Sequence, residues 1–170
     1  MFVTVVTGAP GAGKSTTAMA LHSRLGDAGR ANALIEIDEL SLSYPALDRQ
    51  RALRHVHDLA ASFAEAGHDL LFVTDTCETD EWYRDLSEAL PTGGRLLVLL
   101  TASGATLSQR VATREPPTWS GYDALVAAAA RLGEQMRGLA GVDLHLDTER
   151  LSVPEVVDAV YRALSDSGVV

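Results

Sequence analysis

A glycine-rich segment near the start of the chain restricts the fold more than any other part of the sequence. Residues 8–15 read GAPGAGKS, which meets the spacing G-x-x-x-x-G-K-S in full. An apolar run at residues 2–7 precedes the segment and is typical of a buried strand, whereas residues 16–21 are typical of the start of a helix. A strand, a glycine-rich loop and a helix in this order are the context of a P-loop. We therefore predict a P-loop at residues 8–15.

The residue types of this segment suit phosphate binding. Its glycines let the backbone turn tightly and direct N–H groups toward phosphate oxygens. The helix that begins near Lys14 directs its positive dipole end to the same place. Lys14 would contact the β- and γ-phosphates of a nucleotide, and the Ser15 hydroxyl would bind Mg²⁺. The predicted nucleotide-binding residues of the segment are Gly8, Ala9, Pro10, Gly11, Ala12, Gly13, Lys14, Ser15 and Thr16.

Lys14 is also the only lysine in the chain, which otherwise uses arginine as its strongly basic residue. Lysine is a compact charge on a flexible stem, whereas arginine carries a planar fork of donors. An arginine-rich chain that keeps one lysine at this position favours the P-loop over the alternative of a chance glycine-rich turn.

Composition excludes several other functions. The net charge of −9 argues against a nucleic-acid-binding protein, which needs a basic face. The single cysteine, Cys77, cannot form an intramolecular disulfide and indicates a reducing compartment. No histidine partner for Cys77 is evident, and the five histidines show no metal-binding spacing. No apolar run approaches the roughly 20 residues that cross a bilayer. We expect one domain over residues 1–170, cytoplasmic, that binds neither nucleic acid nor membrane.

Strand-like and helix-like patterns alternate along the chain. Apolar runs typical of strands lie at residues 2–7, 31–37, 70–74, 95–101 and 142–146. Helical patterns lie at residues 16–25, 47–66, 80–90, 106–114 and 125–139, and from a capping box at residues 152–155 onward. We predict a loop at residues 41–45 and a turn at residues 91–94. Such alternation predicts an α/β fold with a parallel sheet covered by helices on both faces.

Carboxylates follow two of the predicted strands. Ligands of open α/β sheets bind beyond the carboxyl ends of the strands, so we expect the P-loop, Asp38 and Asp75 to face one crevice. Asp75 would hold Mg²⁺ through water opposite Ser15, or would only cap the turn at Thr76. Asp38 would orient an acceptor hydroxyl and accept its proton, or would be an exposed acid. Glu36 would share the face of Asp38 and is a weaker candidate.

Two arginines lie four residues apart on the helix predicted at residues 106–114. Arg110 and Arg114 therefore share one helix face. They would flank the adenine and the transferring phosphoryl group, where arginine stabilises negative charge, or would form an ordinary solvated face. We count both among the catalytic residues, with Lys14 and Asp38. Weaker candidates, whose roles the sequence leaves open, are Arg84, Arg131 and Arg137.

The least periodic part of the chain is residues 115–122, which are rich in proline, glycine, serine and aromatic residues. Loops of this kind often close over bound substrates. We predict a lid over the nucleotide within residues 113–122; the alternative is a simple connecting loop.

With these residues in view, the chain resembles the small P-loop kinases. It is most similar to the zeta-toxin and chloramphenicol-phosphotransferase-like group, with gluconate, shikimate and adenylyl-sulfate kinases as wider relatives. The resemblance rests on residues 8–15, 37–40, 73–76, 83–84, 107–114 and 147–148. It implies a three-layer P-loop NTPase fold with a five-stranded parallel sheet in the order 2-3-1-4-5. It also implies ATP and Mg²⁺, Asp38 near the acceptor hydroxyl, and Arg110 and Arg114 at the nucleotide and the lid.

We predict an ATP-dependent phosphotransferase that acts on a hydroxyl of a small molecule such as a sugar, a nucleoside or an antibiotic. One alternative is a nucleotide kinase, whose acceptor phosphate would be bound by Arg49, Arg51 and Arg54. Another is an ATP-dependent switch or assembly ATPase without a small acceptor. The guanine-binding sequence Asn-Lys-x-Asp is absent, because the only lysine is Lys14, which argues against a GTPase. The segment at 116–119 matches no lid pattern of these kinases, and the paired arginines of shikimate kinase have no clear counterpart, so the acceptor stays open.

Overall fold

A computed structural model of the chain describes residues 1–40, 42–91 and 93–170. Ser41, in the predicted loop, and Thr92, in the predicted turn, lie outside the described residues.

Five strands in the described residues form one sheet. Their bounds are β1 Phe2–Gly8, β2 Asn32–Glu36, β3 Leu70–Asp75, β4 Arg95–Thr101 and β5 Leu144–Asp147. The strands lie in the order β2-β3-β1-β4-β5, and every neighbouring pair is parallel. The predicted order 2-3-1-4-5 is therefore confirmed.

Helices connect the strands. Their bounds are α1 Lys14–Asp27, α2 Ile37–Leu40, α3 Arg49–Glu65, α4 Asp80–Ala89, α5 Gly104–Arg114, α6 Tyr122–Gln135 and α7 Val153–Asp166, with a 3₁₀ turn at Met136–Gly138. Side chains cap several of them: Thr79 accepts a hydrogen bond from the Trp82 amide at the start of α4. Ser103 does the same for Thr106, so α5 begins two residues before the predicted position.

Apolar side chains cover both faces of the sheet. Along β1, Val6 belongs to a cluster shared with α1, α5, α6 and α7, whereas Val3 and Val5 face a second cluster shared with α3 and α4. Successive strand residues point to opposite faces, and a strand buried on both faces must be apolar throughout. The predicted three-layer α/β architecture is confirmed.

This topology sets where chemistry can occur. The register pairs Thr7 of β1 with Asp75 of β3 and Gly8 of β1 with Leu100 of β4, so the carboxyl ends of the central strands meet at one edge. In the described part of the chain, no helix has the length and apolar character that a bilayer crossing requires.

Candidate active site

The P-loop connects the end of β1 at Gly8 to the first residue of α1, Lys14. Gly11 and Gly13 have φ of 84° and 96°, a region in which side chains are strained. A Cβ atom at Gly11 would also lie 2.7 Å from the Leu107 carbonyl oxygen of α5. Gly13 caps α1 without a side-chain hydrogen bond, so no side chain competes for the amides of the first turn. That end of α1 suits an anion.

The Lys14 ammonium lies at the centre of the site. Its Nζ atom donates to the Gly8 carbonyl oxygen at 3.0 Å and to the Thr76 hydroxyl at 3.0 Å. Burial lowers the pKa of Lys14, and the nearby carboxylates of Asp38 and Asp75 act in the opposite direction. The ammonium is thus hydrogen-bonded to the end of β1 and to the loop after β3, and the two carboxylates favour its charged form.

Asp75 is the last residue of β3 and is only 5% exposed. Its Oδ1 atom accepts from the Thr76 amide at 2.8 Å, and its Oδ2 atom accepts from the indole N–H of Trp82. Burial raises the pKa of Asp75 to about 6, although these two hydrogen bonds act to lower that pKa. The bond to Thr76 is the turn-capping role that the sequence analysis gave as the alternative, and it leaves lone pairs of both oxygens for a further partner.

Three cavities meet along this edge of the sheet. The apolar cavity, of about 350 Å³, is lined by Gly11, Ala12, Gly13, Thr16, Thr17, Arg110, Arg114, Thr148, Leu151, Val153 and Val156. The loop cavity, of about 180 Å³, is lined by Pro10, Gly11, Gly13, Lys14, Ser15, Thr16, Asp38, Thr76, Arg114 and Leu125. The acidic cavity, of about 380 Å³, is lined by Asp38, Arg49, Asp75, Thr76, Glu78, Thr79 and Trp82.

The three cavities are continuous through shared residues. The apolar and loop cavities share Gly11, Gly13, Thr16 and Arg114. The loop and acidic cavities share Asp38 and Thr76. The structure thus places Lys14, Ser15, Asp38, Asp75, Arg110 and Arg114 around one crevice.

Arg110 and Arg114 lie on α5 and both face this crevice. The Arg110 guanidinium is hydrogen-bonded to other groups of the protein. Its Nη1 atom donates to the Gly11 carbonyl at 3.2 Å and to the Thr148 hydroxyl at 2.9 Å. Its Nη2 atom donates to the Thr148 carbonyl at 2.7 Å. Arg110 therefore fixes the P-loop to the loop that follows β5. Arg114 lines two cavities, and its Nε atom donates to Glu115 at 2.7 Å.

Other candidates lie away from the three cavities. Gly8 supplies a carbonyl behind the P-loop, and Ala9 is buried in the core. Arg84 is an exposed residue that pairs with Asp85 at 3.9 Å. Arg131 donates to Gln135, and Arg137 donates to the Ala102 carbonyl.

One prediction about the acids was wrong. Glu36 does not share the face of Asp38, because β2 ends at Glu36 and the chain then turns into α2. Glu36 instead lines a groove with Met19 and Phe63, while Asp38 is exposed toward the loop and acidic cavities.

Several residues of the site were not predicted from the sequence. The Thr76 hydroxyl accepts a hydrogen bond from Lys14, and the Trp82 indole donates one to Asp75. The Thr148 hydroxyl accepts a hydrogen bond from Arg110. Gln135 of α6 donates to the Glu78 carbonyl at 2.9 Å and so connects α6 to a residue that lines the acidic cavity. None of these contacts follows a periodic spacing. Only the motifs at residues 73–76 and 147–148 included two of these residues, Thr76 and Thr148.

The site fits ATP and Mg²⁺. The loop cavity supplies amides and an ammonium for phosphates, and the adjoining apolar cavity supplies Leu151, Val153 and Val156 for a base. Ser15 and Asp75 offer the hard oxygen donors that Mg²⁺ prefers, and Mg²⁺ is commonly held by one or two such groups plus substrate phosphates and water. The described residues contain no cluster of three or more histidine, cysteine or acidic ligands.

Cys77 lies behind Asp75 and is fully buried. Burial raises the pKa of its thiol, with the charge of Asp75 acting in the same direction. A thiolate nucleophile is therefore disfavoured at this position.

Comparison with known proteins agrees with this geometry. Residues 3–140 match the AAA_33 family, described as an AAA domain. The adenylyl-sulfate kinase of Paraburkholderia xenovorans (strain LB400) is 29% identical over 178 residues, which cover 96% of this chain and 92% of the relative. The adenylyl-sulfate kinase of Vibrio parahaemolyticus serotype O3:K6 is 34% identical over 105 residues, 57% of this chain and 50% of the relative.

Solved structures show the same fold. A gluconokinase from Sinorhizobium meliloti 1021 has a TM-score of 0.68 at 21% identity and covers 96% of this chain and 91% of its own. The Deinococcus radiodurans tunicamycin resistance protein has a TM-score of 0.65 at 18% identity, with 99% and 96% covered. The predicted resemblance to small P-loop kinases is confirmed. The chain belongs to the AAA_33 (AAA domain) family of P-loop kinases.

Proposed function

We propose that this chain transfers the γ-phosphate of ATP to a hydroxyl of a small molecule. The observation that carries the proposal is that Asp38 and Thr76 line both the loop cavity and the acidic cavity. A phosphate donor in the loop cavity and an acceptor in the acidic cavity would therefore meet beside a carboxylate.

Each part of the site has a task in this reaction. The adenine occupies the apolar cavity, and the phosphates follow the P-loop to Lys14. Ser15 and Asp75 would hold Mg²⁺, which would neutralise charge on the phosphates. Arg114 reaches the same phosphates once it leaves Glu115, and Arg110 keeps the P-loop in place. Residues 113–122 act as the lid that excludes water.

The chemical step balances within this site. The acceptor hydroxyl oxygen forms a bond to the γ-phosphorus, while the bond from that phosphorus to the β–γ bridging oxygen breaks. Asp38 orients the hydroxyl and takes its proton, and ADP leaves with the bridging oxygen. Positioning and charge neutralisation supply most of the acceleration, because this transition state needs little covalent help.

The deciding experiment measures Mg·ATP consumption against a panel of hydroxyl compounds, with mass spectrometry of each acceptor. We expect a product heavier by one phosphate. Asp38→Asn should lower this transfer roughly 10²–10⁴-fold with little change in ATP affinity. ATP hydrolysis that ignores every acceptor would favour a switch or assembly ATPase instead, and absence of nucleotide binding would refute the P-loop assignment.

A nucleotide kinase is the second candidate, and the adenylyl-sulfate kinases among the relatives favour it. Of the three arginines predicted to bind an acceptor phosphate, Arg49 lines the acidic cavity, whereas Arg51 and Arg54 are exposed on α3. Arg49 is therefore the arginine of this set that is placed to bind an acceptor phosphate, and Arg54 is its control. If nucleotides are the acceptors, Arg49→Ala should abolish their phosphorylation and Arg54→Ala should spare it. Cytoplasmic location stays a prediction.

A further inference from the structure

The charges around the acidic cavity restrict the acceptor, provided that the proposed function is correct. Three carboxylates line this cavity, those of Asp38, Asp75 and Glu78, against a single guanidinium, that of Arg49. Neutral lining groups are few: two threonines and the Trp82 indole. An acceptor in this cavity therefore meets mainly negative charge.

Among the described residues, Arg49 is the one cation that lines the cavity, and it already has a carboxylate partner. The Arg49 guanidinium lies over the Trp82 ring at 4.2 Å from its centroid, and its Nη2 atom pairs with the Asp85 carboxylate at 2.7 Å. The same Nη2 atom donates to the Glu81 carbonyl at 3.3 Å. An anionic acceptor group would therefore compete for this charge with Asp85, a covalently tethered partner.

The nearest other cations line the donor side, although the Lys14 ammonium also balances part of the charge of Asp38 and Asp75. The Lys14 ammonium is bound to Gly8 and Thr76 at the loop cavity. Arg114 lines the loop and apolar cavities and not the acidic one. ATP keeps a net negative charge even with Mg²⁺ bound, so the donor would not reverse the potential of the acidic cavity, and the chain as a whole carries −9.

From this arrangement we infer that the acceptor is a neutral or cationic polyhydroxy compound, such as a sugar or an amino sugar, and not a phosphorylated, sulfated or carboxylated one. Like charges placed together at a binding site select strongly against the wrong partner. The carboxylates that repel anions would at the same time accept hydrogen bonds from hydroxyl and ammonium groups.

Matched acceptors test the inference by turnover. Glucose, glucosamine and glucuronate share one ring and differ in charge, as do adenosine and adenosine monophosphate. We expect the neutral or cationic member of whichever series accepts phosphate to have a kcat/KM at least about tenfold above the anionic member. Preference for glucuronate or the monophosphate would overturn the inference and leave the proposed function standing.

A second measurement reads the potential of the cavity without any acceptor. The chain has two tryptophans, so Trp119→Phe leaves Trp82 as the only one, and Trp82 lines the acidic cavity. Fluorescence quenching by iodide, acrylamide and caesium, each normalised to free N-acetyltryptophanamide, then compares an anion, a neutral molecule and a cation. We expect caesium to quench relatively better than iodide, and equal or better quenching by iodide would refute the negative potential.

Matched variants assign the effect to the cavity. Glu78 is exposed and lines the cavity, whereas Glu88 is exposed on α4 outside it. Glu78→Gln should raise iodide quenching and reduce discrimination against the anionic acceptor severalfold, and Glu88→Gln, with the same change in net charge, should leave both unchanged. Equal effects of the two variants would attribute the result to net charge and contradict the inference. Absence of transfer to every acceptor would count against the proposed function, while the quenching result would still decide the charge of the cavity.

Discussion

Lys14 shows how much one residue contributes to the site. Its ammonium has two oxygen acceptors at 3.0 Å, and its burial is costly enough to lower its pKa. Lys14→Ala should lower phosphoryl transfer roughly 10²–10³-fold or more, because a charge at the transferring phosphate is lost. The fold should persist, since the core does not depend on this side chain. Thermal melting checks the fold, and turnover equal to wild type would contradict the P-loop assignment.

Thr76 offers a sharper comparison at the same scale, since its hydroxyl holds Lys14 between the loop and acidic cavities. Thr76→Val keeps the shape and removes the hydroxyl, so we expect kcat to fall about tenfold or more, a cost typical of losing a hydrogen bond to a charged group. Thr76→Ser keeps the hydroxyl and should restore most of the activity. Equal rates for the two variants would show that the hydroxyl does not position Lys14.

The charged form of Asp75 is expected to destabilise the folded chain. Its pKa is raised from 3.8 to about 6 in the folded chain, so the folded state binds this proton more tightly than the unfolded state does. The contribution of this group to stability is therefore favourable at low pH and is lost as pH rises from about 4 through about 6. Asp75→Asn should stabilise the nucleotide-free chain above pH 6, by at most about 3 kcal/mol, while it abolishes transfer.

Urea unfolding of wild type and Asp75→Asn at pH 4 and pH 7 checks this sign. The difference in the free energy of unfolding between the two proteins should grow with pH. A variant that is less stable than wild type at pH 7 would show that the two hydrogen bonds to Asp75 outweigh its burial.

At the scale of secondary-structure elements, Arg110 connects α5 to the P-loop and to the loop after β5. Because all three of its hydrogen bonds go to the protein, we expect Arg110→Lys to weaken ATP binding about tenfold or more and to change kcat less, since lysine cannot reproduce the planar fork. Arg131→Lys on the exposed face of α6 is the matched control. Loss of kcat with an unchanged KM for ATP would instead place Arg110 at the transferring phosphate.

Local signals in the sequence predicted some boundaries of these elements and missed one short helix. The capping box at Ser152 and Glu155 and the stop of α5 at Arg114 are local features, and both were predicted correctly. The short helix α2 was not predicted, because four residues are too few for a periodic pattern. It is this helix that turns Asp38 into the crevice and leaves Glu36 outside.

At the scale of the whole molecule, the nucleotide should stabilise the fold by mass action. ATP or a non-hydrolysable analogue at 100 times its dissociation constant should add about 2.7 kcal/mol to the free energy of unfolding. This corresponds to a rise in Tm of roughly 5–10 °C for a chain of this size. Lys14→Ala should lose most of the shift. GTP should give a smaller rise, and an equal rise with GTP would show that the apolar cavity does not select the base.

The sequence by itself determined the succession of the strands and of the longer helices along the chain, the P-loop, and the expectation that Asp38 and Asp75 lie with it at one edge. These features depend on local propensity, on side-chain periodicity and on the rule that parallel strands present their carboxyl ends together. Only the tertiary structure decided which side chains touch. The bonds from Lys14 to Thr76, from Trp82 to Asp75 and from Arg110 to Thr148 join residues on different elements, and no spacing in the chain encodes how those elements pack. The charge of the acidic cavity was also decided by the tertiary structure, because it depends on the ion pair between Arg49 and Asp85.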